Sequence, residues 1–169
     1  MRTLVGTFLC AVFLILSLPA TAAQAVETPY AAQKAVFDFY LDDPAKIGPA
    51  LYWVRSWMNP LMAEPYGYAP EELHAVVVIH GTEIVTVVKK NYARYRDAVD
   101  RMRYYAGLGV KFRVCALAAA DYGYEPKDFQ DFVEVAPSAF DELVHWQMQG
   151  YGLIVPRVLE RKYTIDEIR

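Results

Sequence analysis

Cys115 closes an apolar stretch, Phe112-Arg113-Val114-Cys115, and is followed by the run Ala116-Leu117-Ala118-Ala119-Ala120. The thiolate is the nucleophilic form of cysteine, so the charges around Cys115 decide what it can do. A strand that ends on Cys115 and passes into a helix would aim the helix amino end at the sulfur, which favours thiolate. Strand alternation puts Arg113 on the same face, roughly 7 Å back along the strand, where it adds a positive field. The competing reading is a packed and inert cysteine, because free cysteine is among the most buried residue types.

His80-Gly81-Thr82 has the same form: an apolar run delivers a polar residue and a glycine into a helix start, the arrangement of an anion site. The plainer alternative is a histidine satisfied by a backbone carbonyl and an ordinary glycine turn. With one strand between the two strand ends, His80 and Cys115 would stand about 10 Å apart, as two walls of one pocket rather than a bonded pair. Trp53, Trp57, Asp42 and Asp43 read as packing and capping residues, and His145-Trp146 as core or interface. The chain has 3 histidines and 2 cysteines, dispersed along its length without metal-ligand spacing. No phosphate-loop, dinucleotide or serine-elbow motif is present, so neither a metal nor a cofactor is expected.

The amino terminus sets the compartment expected for that thiol. Arg2 precedes a mostly apolar core from Leu4 to Leu18, Pro19 breaks it, and Ala23-Gln24-Ala25 fits the small-x-small pattern of signal peptidase sites. Residues 1–25 are therefore expected to be an export signal cleaved after Ala25, which gives a periplasmic or otherwise exported protein. The alternative, a retained anchor, needs 18 or so apolar residues, more than the run supplies. Cleavage leaves 144 of the 169 residues, enough for one domain with a substantial core and no membrane span. It also removes Arg2 and Cys10, so that the formal net charge goes from −3 to −4 and Cys115 is left alone. An acidic balance with mixed charges excludes a nucleic-acid stripe. A lone thiol in an oxidising compartment is buried, paired between chains, or kept because it reacts.

Behind these residues, strand-like and helix-like segments alternate. Residues 26–33 form a linker. Strands are expected over Lys34–Leu41, Leu73–Ile79, Val110–Ala116, Phe132–Ala136 and Tyr151–Pro156. Asp43 caps a helix with Pro44 in its first turn and Ile47, Leu51, Val54 and Met58 on its apolar side, with Gly48-Pro49 disturbing its early part. Thr82 caps a short helix to Lys90. Asn91–Gly107 carries a stripe of Tyr95, Val99, Met102 and Ala106, with Arg96/Asp100 and Asp97/Arg101 as i,i+4 pairs. Ser138 caps a helix that runs through Gln149, and Gly150 ends it. Residues 157–169 are a charged tail. Five strands separated by helices imply an α/β domain over residues 34–156 with a mostly parallel sheet, whose ligands gather beyond the carboxyl ends of the strands.

Tyr66-Gly67-Tyr68-Ala69-Pro70 is echoed by Tyr122-Gly123-Tyr124-Glu125-Pro126. Both read as glycine turns entering a strand at its amino end, away from the ligand edge. The sharper reading is that their tyrosines build a subunit interface.

Taken in order, several stretches resemble the DsrE/DsrF-like family. They are Asp42-Asp43-Pro44, Val78-Ile79-His80-Gly81, Gly109-Val110-Lys111-Phe112-Arg113-Val114-Cys115, Val133-Glu134-Val135-Ala136-Pro137-Ser138 and Gln149-Gly150-Tyr151-Gly152-Leu153-Ile154-Val155-Pro156. The resemblance implies a three-layer α/β/α fold around the five-stranded sheet and an oligomer of this chain or with relatives. In the sulfur-relay members, a cysteine at the position matching Cys115 accepts sulfur as a persulfide and passes it on. The chain departs from those cytoplasmic members in its export segment, its Asn59–Glu72 loop and its tail. Two functions follow. The first is a sulfur carrier or sulfurtransferase using Cys115, with His80, Gly81, Thr82 and Arg113 binding a small sulfur anion or a donor or acceptor protein. The second is a non-catalytic oligomeric module with Cys115 silent.

Overall fold

The computed structural model describes residues 23–169; the export segment expected over residues 1–25 lies almost wholly outside them. No helix among the described residues is long and apolar enough to cross a membrane.

Five strands form one sheet: β1 (Lys34–Phe39), β2 (His74–Ile79), β3 (Lys111–Cys115), β4 (Val133–Ala136) and β5 (Gly152–Ile154). Their order is β4-β3-β2-β1-β5, and every neighbouring pair is parallel. The central strand β2 is buried from Ala75 to Ile79, as an apolar run covered on both faces should be. β1 stops at Phe39, two residues short of the expected end, because the Leu41 N–H donates to the Glu83 carboxylate instead of a neighbouring strand. No strand separates β2 from β3, so the ends of these two strands are neighbours and not about 10 Å apart.

Helices α1 (Ile47–Met62) and α2 (Tyr92–Gly107) cover one face. Their buried side chains meet Phe37, Phe39, Val77, Ile79, Phe112 and Val114 of the sheet. Asp43 accepts a 2.8 Å hydrogen bond from the Ala45 N–H and Pro44 opens a 3-10 turn that leads into α1. Pro49 causes no break because it falls among the first residues of α1, whose N–H groups have no helical partner in any case. α1 runs on through Pro60, so Asn59–Met62, expected as the start of a loop, is helical.

Two expectations change. Gly81, not Thr82, occupies the cap position before the 3-10 turn Thr82–Val87, because the Thr82 hydroxyl donates to the Leu41 carbonyl at 2.9 Å. In α2, Asp100 is held by Arg103 and by the Tyr92 hydroxyl rather than by Arg96, whose guanidinium lies over the Tyr92 ring.

Helix α3 (Ala116–Asp121) follows β3, and α4 (Ala139–Met148) crosses the second face alone, touching β1, β2, β3 and β5. Ser138 accepts the Asp141 N–H at the start of α4, and Gly150, at φ 84°, closes the turn after it. The tail ends in the four-residue helix α5 (Ile165–Ile168).

Phe37 is fully buried between the sheet and the edge of the Trp57 ring, with centroids 6.0 Å apart. Phe37→Ala is expected to lower unfolding free energy by roughly 3–5 kcal/mol, read from urea midpoints.

Candidate functional site

The carboxyl edge of the sheet is organised by one buried carboxylate. Glu83 Oε2 accepts the Leu41 N–H at 2.8 Å, and Oε1 accepts the N–H groups of Gly81 at 2.9 Å and His80 at 3.1 Å. Glu83 is 0% exposed. The backbone N–H groups expected to bind an external anion at His80-Gly81 are thus already occupied by an anion of the chain itself. Gly81 is required by space rather than by conformation. A Cβ there would meet Glu83 Oε2 and the Leu41 nitrogen at 2.5 Å and the Leu41 carbonyl oxygen at 2.7 Å.

Register brings the sequence's two chemical candidates side by side. Phe39 is level with Ile79, and Ile79 with Val114, so the next residues form one row across the sheet: Tyr40, His80, Cys115. Neighbouring strands lie about 4.8 Å apart. Alternation directs this row to the α4 face, where Cys115 packs with Val36, Val78, Ala139 and Leu143. His80 Nε2 donates a 2.6 Å hydrogen bond to Asp38 Oδ1, one step of the same face back along β1. The imidazole is stacked on Tyr40 at 4.9 Å and meets the edge of Phe140 from α4 at 5.7 Å. Its partner is therefore a carboxylate, not the backbone carbonyl of the plainer sequence reading.

Arg113 shares the Cys115 face, as alternation requires, but its charge is compensated. It pairs with Glu134, its register partner on β4, and its Nε lies 3.6 Å from Glu142 of α4. Glu142 also accepts the Trp146 Nε1–H at 2.8 Å. These contacts tie α4 down over the sulfur; Cys115 is 6% exposed and free of any disulfide. The helix after Cys115 forms, but it has only six residues, so its dipole is short.

Beside this row is a cleft of about 470 Å³, lined by Tyr40, Asp42, Lys46, His80, Thr82, Ala118, Tyr122 and the tail residues Val158 and Leu159 among others. Lys46 is bonded to Asp42 at 2.7 Å. Tyr122 is at the ligand edge, contrary to the expectation for its motif, because α3 is too short to carry the chain back to the amino side. The first copy of the motif serves a different purpose. The Tyr66 and Tyr68 hydroxyls donate to the carbonyls of Thr28 and Tyr30 and fasten the segment before β1. Among the described residues no group of three or more acidic, histidine or cysteine side chains is placed to hold a metal ion.

The structure thus gathers Cys115, His80, Gly81, Thr82 and Arg113 at one edge. The sequence reading missed Asp38 and Glu83. Asp38 had a signal, an acid at an inward position of the alternating strand Lys34–Phe39. Glu83 also had one, a single charge in the apolar run Ile79–Val88.

A parallel sheet between helix layers, with a thiol and a carboxylate-held histidine at its carboxyl edge, defines an α/β/α domain with an edge site. Residues 11–156 match the DsrE/DsrF-like family, and the chain belongs to it. In general terms it is a protein of the sulfur-relay type. Among solved structures, a protein of unknown function from Methanobacterium thermoautotrophicum, MTH1491, is similar with a TM-score of 0.59 and 21% identity, over 73% of this chain and 99% of that one. That likeness establishes a shared fold. No curated protein matches the chain.

Burial raises the Glu83 pKa above its ordinary 4.5, outweighing the backbone N–H groups of Gly81, Leu41 and His80, which favour the ionised form. The folded state therefore keeps this proton at a pH where the unfolded chain has released it. The resulting stability is fully present below the ordinary carboxylate value and is lost as pH rises through the folded-state value. Urea midpoints measured across that window should show a decline with rising pH that Glu83→Gln flattens. Glu83→Ala, which leaves the buried Leu41 and Gly81 N–H groups without an acceptor, should cost about 2 kcal/mol or more.

Proposed function

We propose that the protein is an exported, periplasmic sulfur carrier or sulfurtransferase that takes up sulfane sulfur on Cys115 as a persulfide. One observation carries this reading: the single cysteine among the described residues ends β3 in the same row and on the same face as a histidine held by a carboxylate. The signal-like pattern of residues 1–25, an apolar run followed by Ala23-Gln24-Ala25, supports the compartment. An attacking sulfur needs a route to its donor, and the cleft lined by His80, Thr82 and Ala118 brings space for a small sulfur anion or the tip of a partner's chain as far as the imidazole next to Cys115 in the row, though Cys115 itself does not line it. In the uptake step the Cys115 thiolate attacks the outer sulfur of the donor and a new S–S bond forms. The donor's own bond to that sulfur breaks, and its electron pair leaves with thiolate or sulfite. Arg113, already paired with Glu134 and Glu142, contributes by holding α4 and the sulfur's surroundings in place rather than by offering a free charge.

A second reading has its own support. Phe140, Val144 and Met148 repeat every four residues along the outer side of α4 and are 70%, 55% and 80% exposed, beside Leu117 of α3 at 64%. The stripe formed by Phe140, Val144 and Met148 of α4 suits a contact between copies of this chain, with Cys115 packed and silent beneath. Both readings accommodate a homo-oligomer.

The full-length protein exposed to thiosulfate or polysulfide should gain about 32 Da, one sulfur atom, by intact mass. Cys115→Ser should not. An unmodified wild type, or the same gain on the variant, removes the carrier reading; slow labelling of the native thiol favours the silent one.

A further inference from the structure

Four features of the row Tyr40–His80–Cys115 go beyond holding a sulfur. The imidazole of His80 is nearly enclosed, with its side chain 9% exposed. Its Nε2 is committed to Asp38 at 2.6 Å, so the neutral ring carries its proton there and Nδ1 remains as the acceptor. The ring cannot turn freely, because Tyr40 stacks on one side and Phe140 abuts it with its edge. The backbone N–H of His80 is fixed as well, by Glu83. The neighbour of His80 in the next strand is a thiol, whose attack on sulfur requires loss of a proton.

We propose that His80 is the proton acceptor and donor for Cys115, with Asp38 as the positioning residue that fixes its tautomer and orientation. The proposal rests on the carrier reading, since it assigns the proton steps of that same site. Strand spacing of about 4.8 Å separates the two backbones, and the ring leans toward β1, so the proton passes between them through a bridging water. In uptake, the Cys115 S–H proton passes to His80 Nδ1 as Sγ bonds to the donor's outer sulfur. The donor's S–S bond breaks and its electron pair departs with the leaving thiolate or sulfite, which receives the proton from the imidazolium. No oxidant or reductant is consumed, because sulfane sulfur keeps its oxidation level in the transfer.

The other charges around the ring are accounted for. On β1 and in the segment that follows it, Asp38 is bonded to the ring, while Asp42 is spent on Lys46. On the turn after β2, Glu83 is bonded to three backbone N–H groups. On β3, β4 and α4, Arg113 pairs with both Glu134 and Glu142. Asp121 and Tyr122 of the α3 region line the cleft without contacting the ring. Asp38 is thus the carboxylate in direct contact with the imidazole.

Iodoacetamide alkylation, followed by mass of the peptide that carries Cys115, reads this device without any sulfur donor. Wild type should show two inflections of rate against pH, one from the thiol and a second that depends on His80. His80→Gln should remove that inflection and slow the reaction near neutral pH by about tenfold or more, within the range expected for general acid–base assistance. Asp38→Asn should displace the inflection while leaving the thiol accessible. Superimposable profiles in the three proteins overturn the proposal. If a variant fails to fold, the wild-type profile still decides: a single thiol ionisation overturns it. Sulfur loading by intact mass is scored separately. Loss of loading with an intact imidazole-linked profile refutes the carrier reading and leaves the proton device standing.

Discussion

The carboxyl edge of this sheet depends on where one buried carboxylate places its two oxygens. β1 and β2 each end by turning away from the ladder, and each ending leaves backbone N–H groups without a strand partner. Glu83 accepts those of Leu41 and Gly81 and shares the His80 N–H with the Phe39 carbonyl, and so joins the two strand ends from inside the protein. Any other solution would put water or a ligand there. Burying the carboxylate raises its pKa, and the hydrogen bonds work in the opposite direction, so the joint is a compromise between desolvation and donor satisfaction. Gly81 belongs to the same compromise, since any side chain would collide with the carboxylate and with the Leu41 backbone.

Once the ends are joined, the chemistry follows from register. β1, β2 and β3 are adjacent and parallel, so residues one step past Phe39, Ile79 and Val114 must form a row. Alternation then sends Tyr40, His80 and Cys115 to one face, with Asp38 a step behind. An aromatic platform, an imidazole and a thiol in a row need no loop to bring them together. Rigid strands position a site more closely than loops do, and the ring of His80 is accordingly held from three directions.

Much of this is legible in the chain and some is not, for physical reasons. The β-branched run Val76–Ile79 and the stripe Ile47, Leu51, Val54, Met58 are local patterns, and both give the elements found. Cys115 at a strand end and Arg113 on its face are equally local. Strand order is different in kind. Helical crossovers allow several orders for the same five strands. Nothing in the sequence around Ile79 and Val114 says that β2 and β3 touch, so the expected separation of His80 from Cys115 is too large. The role of Glu83 is hidden for a related reason: its partner Leu41 is 42 residues away. Thr82 reads as a cap because the competing acceptor of its hydroxyl, the Leu41 carbonyl, is just as distant in sequence.

Burial and reactivity make opposite demands on Cys115, and α4 is where they meet. Ala139 and Leu143 cover the thiol, with Arg113 holding Glu142 over it. Covering with small residues leaves less to displace than covering with large ones. Ala118 and Ala139 flank the sulfur, while the bulky Phe140 of the same turn leans on His80 instead. The approach that requires least rearrangement is therefore from the Ala118 side, where the cleft opens between Tyr40, Tyr122 and the tail. A molecule entering there meets the imidazole before it meets the thiol.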